Sequence, residues 1–554
     1  MDRSERQKAL ARWEALKSER SSWLAHWKEI AQFLLPRAGE WMLGDSHKGG
    51  KRHNDILDNT GSRALRTLGS GLMAGMTSPA RPWFRLTTSD PELDEAAAVK
   101  QWLQDTTEVM GMVFRRSNTY RALHANYEEL GAFGTCVTMR EDDFETVINQ
   151  RPLTAGEYAL ACDHRGRVDT IYREFQATVA QIVSEFGREN CSRAVINLWD
   201  RGVYDHRFPI VHLVEPRQQR DPRKRDNKNM PWRSVYFEQG GDGDKVLRES
   251  GFKTFPGIAA RWITYGSDVY GASPGMEALG DVKQLQHQQR RKGQAIDYLT
   301  RPPLQAPTQL KNAAQNMLPG GITYVDTANP NGGIRTAWEV RLDLSHLLAD
   351  IQDVRERVNS SFYADLFLML YTQDKNGLTA TEVAERHEEK LLMIGPVLER
   401  LHNEMLSPLI ESTFERMIEA GIVPPAPPEL EGRELNVEFV SVLAQAQSSV
   451  ATNSIDRYVA SLGMVAQAKP EVLDKFNADR WADVYADMLG IDAELVVSGE
   501  QVALIRQQRA QQQQAMQVAA QAEQMANAAA KLGSINTSEQ NALTDATAAF
   551  TGYA

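Results

Sequence analysis

The chain has 554 residues, too many for one ordinary core, and its 42% hydrophobic and 24% charged residues suit a folded protein that is neither fibrous nor disordered throughout. No apolar run reaches the roughly 18 residues of a spanning helix, and the charged start MDRSERQKAL has no signal-peptide core, so cytoplasmic synthesis without membrane insertion is expected. A net charge of −11 excludes nucleic-acid binding through bulk basicity, and Cys136, Cys162 and Cys191 form neither a close-spaced metal pair nor an even disulfide set, so buried thiols are expected.

Residues 4–35 carry a long helical pattern. Ser4 and Gln7 can form a capping box, Trp13, Leu16, Trp23, Trp27, Ile30 and Leu34 recur at three- and four-residue steps, and Pro36 is the stop. Such a stripe predicts packing on the chain's own core, with three tryptophans also suited to a subunit contact. Further on, Gly69-Ser70-Gly71-Leu72-Met73-Ala74 fits the G-x-G-x-x-[GA] fingerprint of dinucleotide-binding folds. That fingerprint needs a preceding strand, and NTGSRALRTL before it is helix-like. The glycines are therefore read as positions of close backbone approach, with Pro79, Pro82, Trp83 and Phe84 ending the helix.

Glu141-Asp142-Asp143 invites a magnesium reading, but at a predicted turn solvated charge is preferred. Tyr158 to Phe175 reads as a hairpin turning at Asp163-His164-Arg165-Gly166, and a second β-rich segment, Ile210 to Tyr236, is interrupted by the charged loop Arg217 to Lys228. Together these predict an α+β region up to about residue 270. Gly275 to Thr300 is polar yet helix-compatible, with a thin seam of Leu279, Val282, Leu285, Ile296 and Leu299, too narrow for a central core helix. After RPPLQAP come two short strand candidates, Gly321–Val325 and Arg335–Val340. A helix from about Asp343 to Met369 follows, with Leu347, Ile351, Val354, Val358 and Phe362 at helical spacing.

A turn at Asp374-Lys375-Asn376-Gly377 precedes a helix announced by a Thr379/Glu382 capping box and a Leu378/Val383 staple, with kinks predicted at Pro396 and Pro408. The Ala/Gln-rich stretch from Gln501 has high helix propensity but too little apolar area for a core of its own, and residues 534–554 are expected to be disordered. No P-loop or HExxH pattern occurs, and His47/His53 and His206/His212 are weak ligand pairs, so no catalytic residue, metal or cofactor is expected.

The ordered segments IAQFLLPRAGEW, ILDNTGSRALRTLGSGLMAGMTSPARPWFRL, RVDTIYREFQATVAQIVSEFG, FPGIAARWITYGSDVYGASPGMEALGDVKQLQ, GLTATEVAERHEEKLLMIGPVLERLHNEMLSPLI and VEFVSVLAQAQ resemble the portal, or head-to-tail connector, proteins of short-tailed bacteriophages. The resemblance covers roughly residues 10–450. It implies an α+β, mainly helical portal fold of wing, stem, clip and crown or barrel, assembled as a dodecameric ring. The implied regions are an α+β wing over 1–270, stem helices over 271–300 and 343–370, and a clip over 301–342. A tunnel-loop region over 371–378, a kinked wing helix and connection over 379–439, crown or barrel helices over 440–533 and the tail 534–554 complete the division. It also implies a place at the portal vertex of the virion, with roles in genome packaging, DNA retention and ejection. The partners implied are further copies of the chain, the terminase large subunit, tail adaptor or nozzle proteins, capsid and scaffolding proteins, and duplex DNA passing through the ring. The alternative is a tail adaptor or another ring protein of the phage neck.

Elementary geometry agrees with such a ring. Helices about 10 Å across, twelve abreast, leave a hole of roughly 28 Å, against about 15 Å for eight; a duplex is on the order of 20 Å wide. The thin seams fit rods that finish their packing on neighbouring subunits. Within this frame Lys283, Arg290, Arg291 and Lys292 are expected to face DNA from the stem, and Gln373, Asp374, Lys375 and Asn376 from the loop. Arg301, Pro302, Pro303 and Trp338 are expected to dock terminase and then the tail adaptor. A heavily basic channel would grip DNA and stall it, so the basic belt is expected to be short.

Overall fold

The computed structural model describes residues 4–38, 54–94, 96–224, 226–241, 245–306, 311, 334–336, 345–371, 393–430, 432–433, 435–441, 443, 458–466, 469–489, 497 and 499–533. The chain divides into two units, one of residues 1–94 and 98–450, the other of 95–97 and 451–554.

Helix α1 (Glu5–Phe33) opens on Ser4, whose Oγ accepts from the Gln7 amide at 3.3 Å. Its tryptophan stripe is core packing: Trp13 stacks on Tyr172 at 6.1 Å, and Trp27 meets Tyr270 edge-on at 5.2 Å while its indole donates to the Phe133 carbonyl at 3.1 Å. Helix α2 (Thr60–Met76) contains the whole glycine cluster in its interior, and the residues just before it, 54–59, are turn, not strand. The glycines serve contact. A Cβ on Gly71 would lie 2.2 Å from Cγ of Phe367, and one on Gly61 would lie 2.8 Å from Leu34 and 3.0 Å from Val282.

After strand β1 (Phe84–Thr88) come α3 (Ala97–Arg116) and α4 (Thr119–Phe133), the latter ended by Gly134 at φ +76°. The strands β2 (Thr135–Asp143), β3 (Val147–Leu153), β4 (Tyr158–Cys162) and β5 (Val168–Thr178) follow in hairpin order. Short helices α5 (Val179–Phe186) and α6 (Arg193–Asp200) lead to β6 (Arg207–Pro216), β7 (Trp232–Glu238), β8 (Arg248–Phe252) and β9 (Gly257–Arg261). They form two antiparallel sheets, β3-β2-β9 and β4-β5-β6-β7-β8, so the expected hairpin and its β-rich successor are neighbours in one sheet. Period-two burial decides what covers that sheet. Val211, Leu213 and Tyr172 turn to Trp13 and Leu16 of α1, while Ile210 and Tyr236 turn to Ile182, Phe186 and Val195 of α5 and α6.

The acidic run at the β2 end is spent locally: Glu141 pairs with Arg151 at 2.9 Å, Asp142 lies 3.5 Å from Arg416, and Asp143 accepts from the Thr146 amide at 3.1 Å. Cys136 and Cys191 are buried free thiols, and Cys162 is a half-buried one.

The second half is helical. Helix α7 (Pro274–Thr300) is followed by two-residue strands β10 (Leu304–Gln305) and β11 (Arg335–Thr336), then α8 (Ser345–Ser361) and α9 (Ala364–Tyr371). The single helix expected over 343–369 is thus broken. Tyr363 adopts φ +53°, and the turn it makes leads into α9, whose Phe367 is buried beside Gly71. A helical stretch over 393–401 passes through a π turn (His402–Leu406) into α10 (Ser407–Glu419). The irregularity expected at Pro408 therefore falls just upstream, where a proline without an amide cannot continue the ordinary ladder. Strand β12 (Leu435–Phe439) pairs with β1, joining segments about 350 residues apart that local periodicity did not connect. In the second unit, a helix over 458–466 precedes α11 (Ala478–Leu489) and α12 (Gly499–Gly533), and Arg506 clamps Asp479 with two bonds of 2.6 Å. The capping box at Thr379/Glu382, the strand candidate at Gly321–Val325 and the tail 534–554 lie outside the described residues.

One buried acid in this body is proton-dependent. Glu129 on α4 accepts from the Thr154 hydroxyl at 2.7 Å and the Ala155 amide at 3.1 Å, yet burial, reinforced by Glu157 and Glu128, lifts its carboxyl to about 7. The same Thr154 hydroxyl lies 3.1 Å from the Ala38 carbonyl. A hydroxyl has one hydrogen, so both contacts are bonds only when Glu129 carries a proton and donates it to Thr154. A raised carboxyl contributes stability that is present below its unfolded value near 4.3 and is lost as pH rises through about 7. Glu129→Gln, which donates at every pH, should match the parent near pH 5 and exceed it at pH 8.5 by roughly 2–3 kcal/mol in denaturant unfolding.

Candidate functional site

Helices α7 and α8 form an antiparallel pair in fixed register. The Gln288 amide is bonded to Asp350, and Arg357 reaches Asp281 at 3.3 Å, so positions seven apart on one helix meet positions seven apart on the other in reverse order. Between them, Leu279, Val282 and Leu285 pack with Ile351, Val354 and Val358 in the buried core. At about 1.5 Å per residue α7 is roughly 40 Å long, and the described part of α8 covers its first two thirds.

The pair is rooted in the body through Asp58. Its Oδ1 accepts from the Thr60 amide at 2.9 Å and the Thr60 hydroxyl at 2.5 Å; its Oδ2 accepts from Arg355 Nη2 at 2.7 Å and Nε at 3.1 Å, and from Gln289 at 2.9 Å. Gln286 completes the joint, accepting from the Leu57 and Asp58 amides at 2.7 and 2.8 Å and donating to the Asp58 carbonyl at 2.9 Å. One carboxylate thus binds the start of α2, α7 and α8 together. Burial works against its charge, but the Thr60 and Arg355 bonds prevail and hold the carboxyl below the usual range. The seam read from Gly275–Thr300 held apolar residues alone, yet Gln286 and Gln288 are only 6% exposed. The signal for this joint is the Asp-Asn-Thr at 58–60, an acid two residues before a helix start.

The expected channel cations separate into two kinds. Lys283 is bonded to Glu29 of α1 at 2.5 Å. Arg290 and Arg291 are exposed and Lys292 half-exposed, and among the described residues no carboxylate pairs with any of the three. Successive helical residues are about 100° apart, so three in a row cannot share one face. Arg290 falls on the stripe of Lys283, two turns further along, and Lys292 continues the stripe that faces α8. Gln373, Asp374, Lys375, Asn376 and Trp338 lie outside the described residues.

The far end of α7 differs from its root. Ile296, Tyr298 and Leu299 are 41%, 50% and 43% exposed, as are Leu304 at 49% and Leu348 at 46%. The seam seen in sequence is therefore half intramolecular and half bare. Arg301 closes the helix, its amide donating to the Asp297 carbonyl at 2.7 Å, and Pro302-Pro303 stop it. Immediately beyond, Leu304 faces Thr336 and Gln305 faces Arg335, so the intervening segment is closed at its neck by two residue pairs. Among the described residues no group of three metal-ligating side chains occurs, and no helix is long and apolar enough to cross a membrane.

Comparison with known proteins gives consistent results. The sequence model of the family described as bacteriophage head to tail connecting protein matches residues 6–497. A "probable portal protein" of Bordetella phage BPP-1 is 64% identical over 552 residues, covering all of both chains. A "portal protein" of Salmonella phage epsilon15 is 44% identical over 545 residues, 98% of each. A solved chain from the virion of a native gene transfer agent particle aligns over 83% of this chain at 10% identity and a TM-score of 0.36, a likeness too slight to build on.

The joint at Asp58 makes a direct prediction. Its depressed carboxyl contributes stability that is present above the unfolded value near 3.9 and lost as pH falls through the folded one. Asp58→Ala, which strands Arg355 and Gln289, should cost about 2–4 kcal/mol at pH 7. That difference should shrink steadily below about pH 4, as read by denaturant unfolding across the range.

Proposed function

Because the chain belongs to the bacteriophage head to tail connecting protein family, we infer that it is a portal protein, a structural component of one capsid vertex and not an enzyme. The observation that carries this is full-length identity of 64% and 44% to proteins named for that function. Such likeness along 98% or more of each chain favours a portal over a tail adaptor.

The finer reading is a ring of twelve copies whose α7 and α8 rods line a passage for duplex DNA. Residues 1–270 would be the wing, 271–300 and 343–370 the stem, 301–342 the clip, 371–378 the tunnel loop, 379–439 the kinked wing helix with its connection, and 440–533 the crown. The exposed apolar end of α7 supports assembly, because Ile296, Tyr298, Leu299 and Leu348 would gain burial against another molecule. Arg290, Arg291 and Lys292, which have no carboxylate partner among the described residues, support a narrow basic belt, while Lys283, held by Glu29, would contribute to it less. With Gln373, Asp374, Lys375 and Asn376 contributing from the loop, contact with phosphates would be confined to short levels of the passage and DNA could still slide. The neck closed by Leu304–Gln305 and Arg335–Thr336, just beyond Arg301, Pro302 and Pro303, supports the insertion, with Trp338, as the docking face for terminase and then for a tail adaptor. Capsid and scaffolding proteins would meet the wing.

Rotationally averaged electron micrographs of the purified chain should show a ring with a central opening and twelvefold symmetry; a compact single unit at high concentration would remove the assembly reading. Arg290→Glu with Arg291→Glu should leave rings intact and lower packaging and DNA retention, more so at low salt than at high. Unchanged packaging and retention at every salt concentration would exclude the belt.

A further inference from the structure

The β6–β7 loop holds the densest run of positive charge in the chain. Residues 217–228, RQQRDPRKRDNK, contain six lysines and arginines and two aspartates, in a protein of net charge −11. Its neck is fixed. The Arg217 amide donates to the Pro231 carbonyl at 2.8 Å, and the Arg217 guanidinium is held by Glu249 at 3.0 Å and the Ser250 carbonyl at 3.1 Å. Above the neck the two aspartates are spent on the loop itself. Asp221 accepts from the Arg223 amide at 3.1 Å, the Asp221 amide donates to Asn229 Oδ1 at 2.9 Å, and Asp226 accepts from the Asn229 side chain at 2.5 Å. Arg220, Arg223, Lys224 and Lys228 are left exposed, and among the described residues no carboxylate pairs with any of them.

We propose that this loop is a second duplex-DNA contact surface, separate from the α7 rods, which grips the phosphate backbone without regard to sequence. Two features select the partner. The loop backbone is pinned by its own Asx bonds, so it loses little freedom on binding. Its other exposed residues, among those described, are Gln218, Gln219, Asp221, Pro222, Asp226 and Asn227, with no aromatic or large aliphatic anchor of the kind a protein interface is built around. A phosphate backbone needs no such anchor, because release of condensed counterions supplies the affinity.

The test is fluorescence anisotropy of the full chain with a 20-base-pair duplex between 50 and 200 mM salt. The parent is compared with a variant carrying Arg220→Gln, Arg223→Gln, Lys224→Gln and Lys228→Gln, exposed side chains that make no bond with the described residues of the loop. Each phosphate contact contributes about −0.9 to the slope of log affinity against log salt. The variant should therefore have a slope shallower by about 3 to 4 and bind at least tenfold more weakly at 50 mM. The same loss should persist on an Arg290→Gln, Arg291→Gln background, which separates the loop from the rods. Equal slopes for parent and loop variant would overturn the proposal. So would duplex binding that survives while binding to poly-glutamate is lost, since the surface would then serve an acidic protein.

Discussion

The architecture turns on a single carboxylate. Asp58 is held by Thr60 at the head of α2, by Gln289 on α7 and by Arg355 on α8, and all three must be present for its charge to remain buried at acceptable cost. The joint is directional, unlike the apolar seam below it. Leu279, Val282 and Leu285 could slide past Ile351, Val354 and Val358 by a turn with modest loss, whereas the Asp58 bonds and the Gln288–Asp350 and Arg357–Asp281 pairs permit one register. Hydrophobic contact supplies affinity between the helices; the polar joint supplies their alignment.

Local regularities in the sequence account for much of the fold. The α1 stripe, the hairpin at Asp163, the β6 and β7 runs and the α7 seam each rest on a period of 3.6 or 2, and these are what short-range sterics impose. Three features were hidden for identifiable reasons. The β1–β12 ladder joins residues too far apart for any window to link, and β12 is too short and too exposed to announce itself. The break at Tyr363 follows from the fit of Phe367 over Gly71, a tertiary contact with no local marker. The burial of Gln286 goes against the polar composition of α7, because an amide with its donor and acceptor matched can sit inside as a leucine does. The glycine fingerprint shows the opposite case. A pattern that names a nucleotide site in one context marks helix contact in another, and the helix-like residues before it were enough to decide.

Charge is distributed with the same economy. In the body, arginines are engaged: Arg261 with Glu404 at 2.7 Å, Arg217 with Glu249, Arg355 with Asp58. Among the described residues, Arg290, Arg291 and Lys292 on α7 and Arg220, Arg223, Lys224 and Lys228 in the 217–228 loop have no acid partner, and in the loop the two aspartates are held by the loop's own amides. A chain that is acidic in total can thus present positive charge in chosen places, and a polyanion meeting it would be attracted at those places and repelled from the rest.

The neck at Leu304–Gln305 and Arg335–Thr336 bears on how this protein can change. Two facing residue pairs place the two ends of the intervening segment about 5 Å apart, so a segment of another length could be joined at the same two points. Such an exchange would leave untouched the bonds that fix the α7 and α8 register, because all of them lie on the body side of that junction.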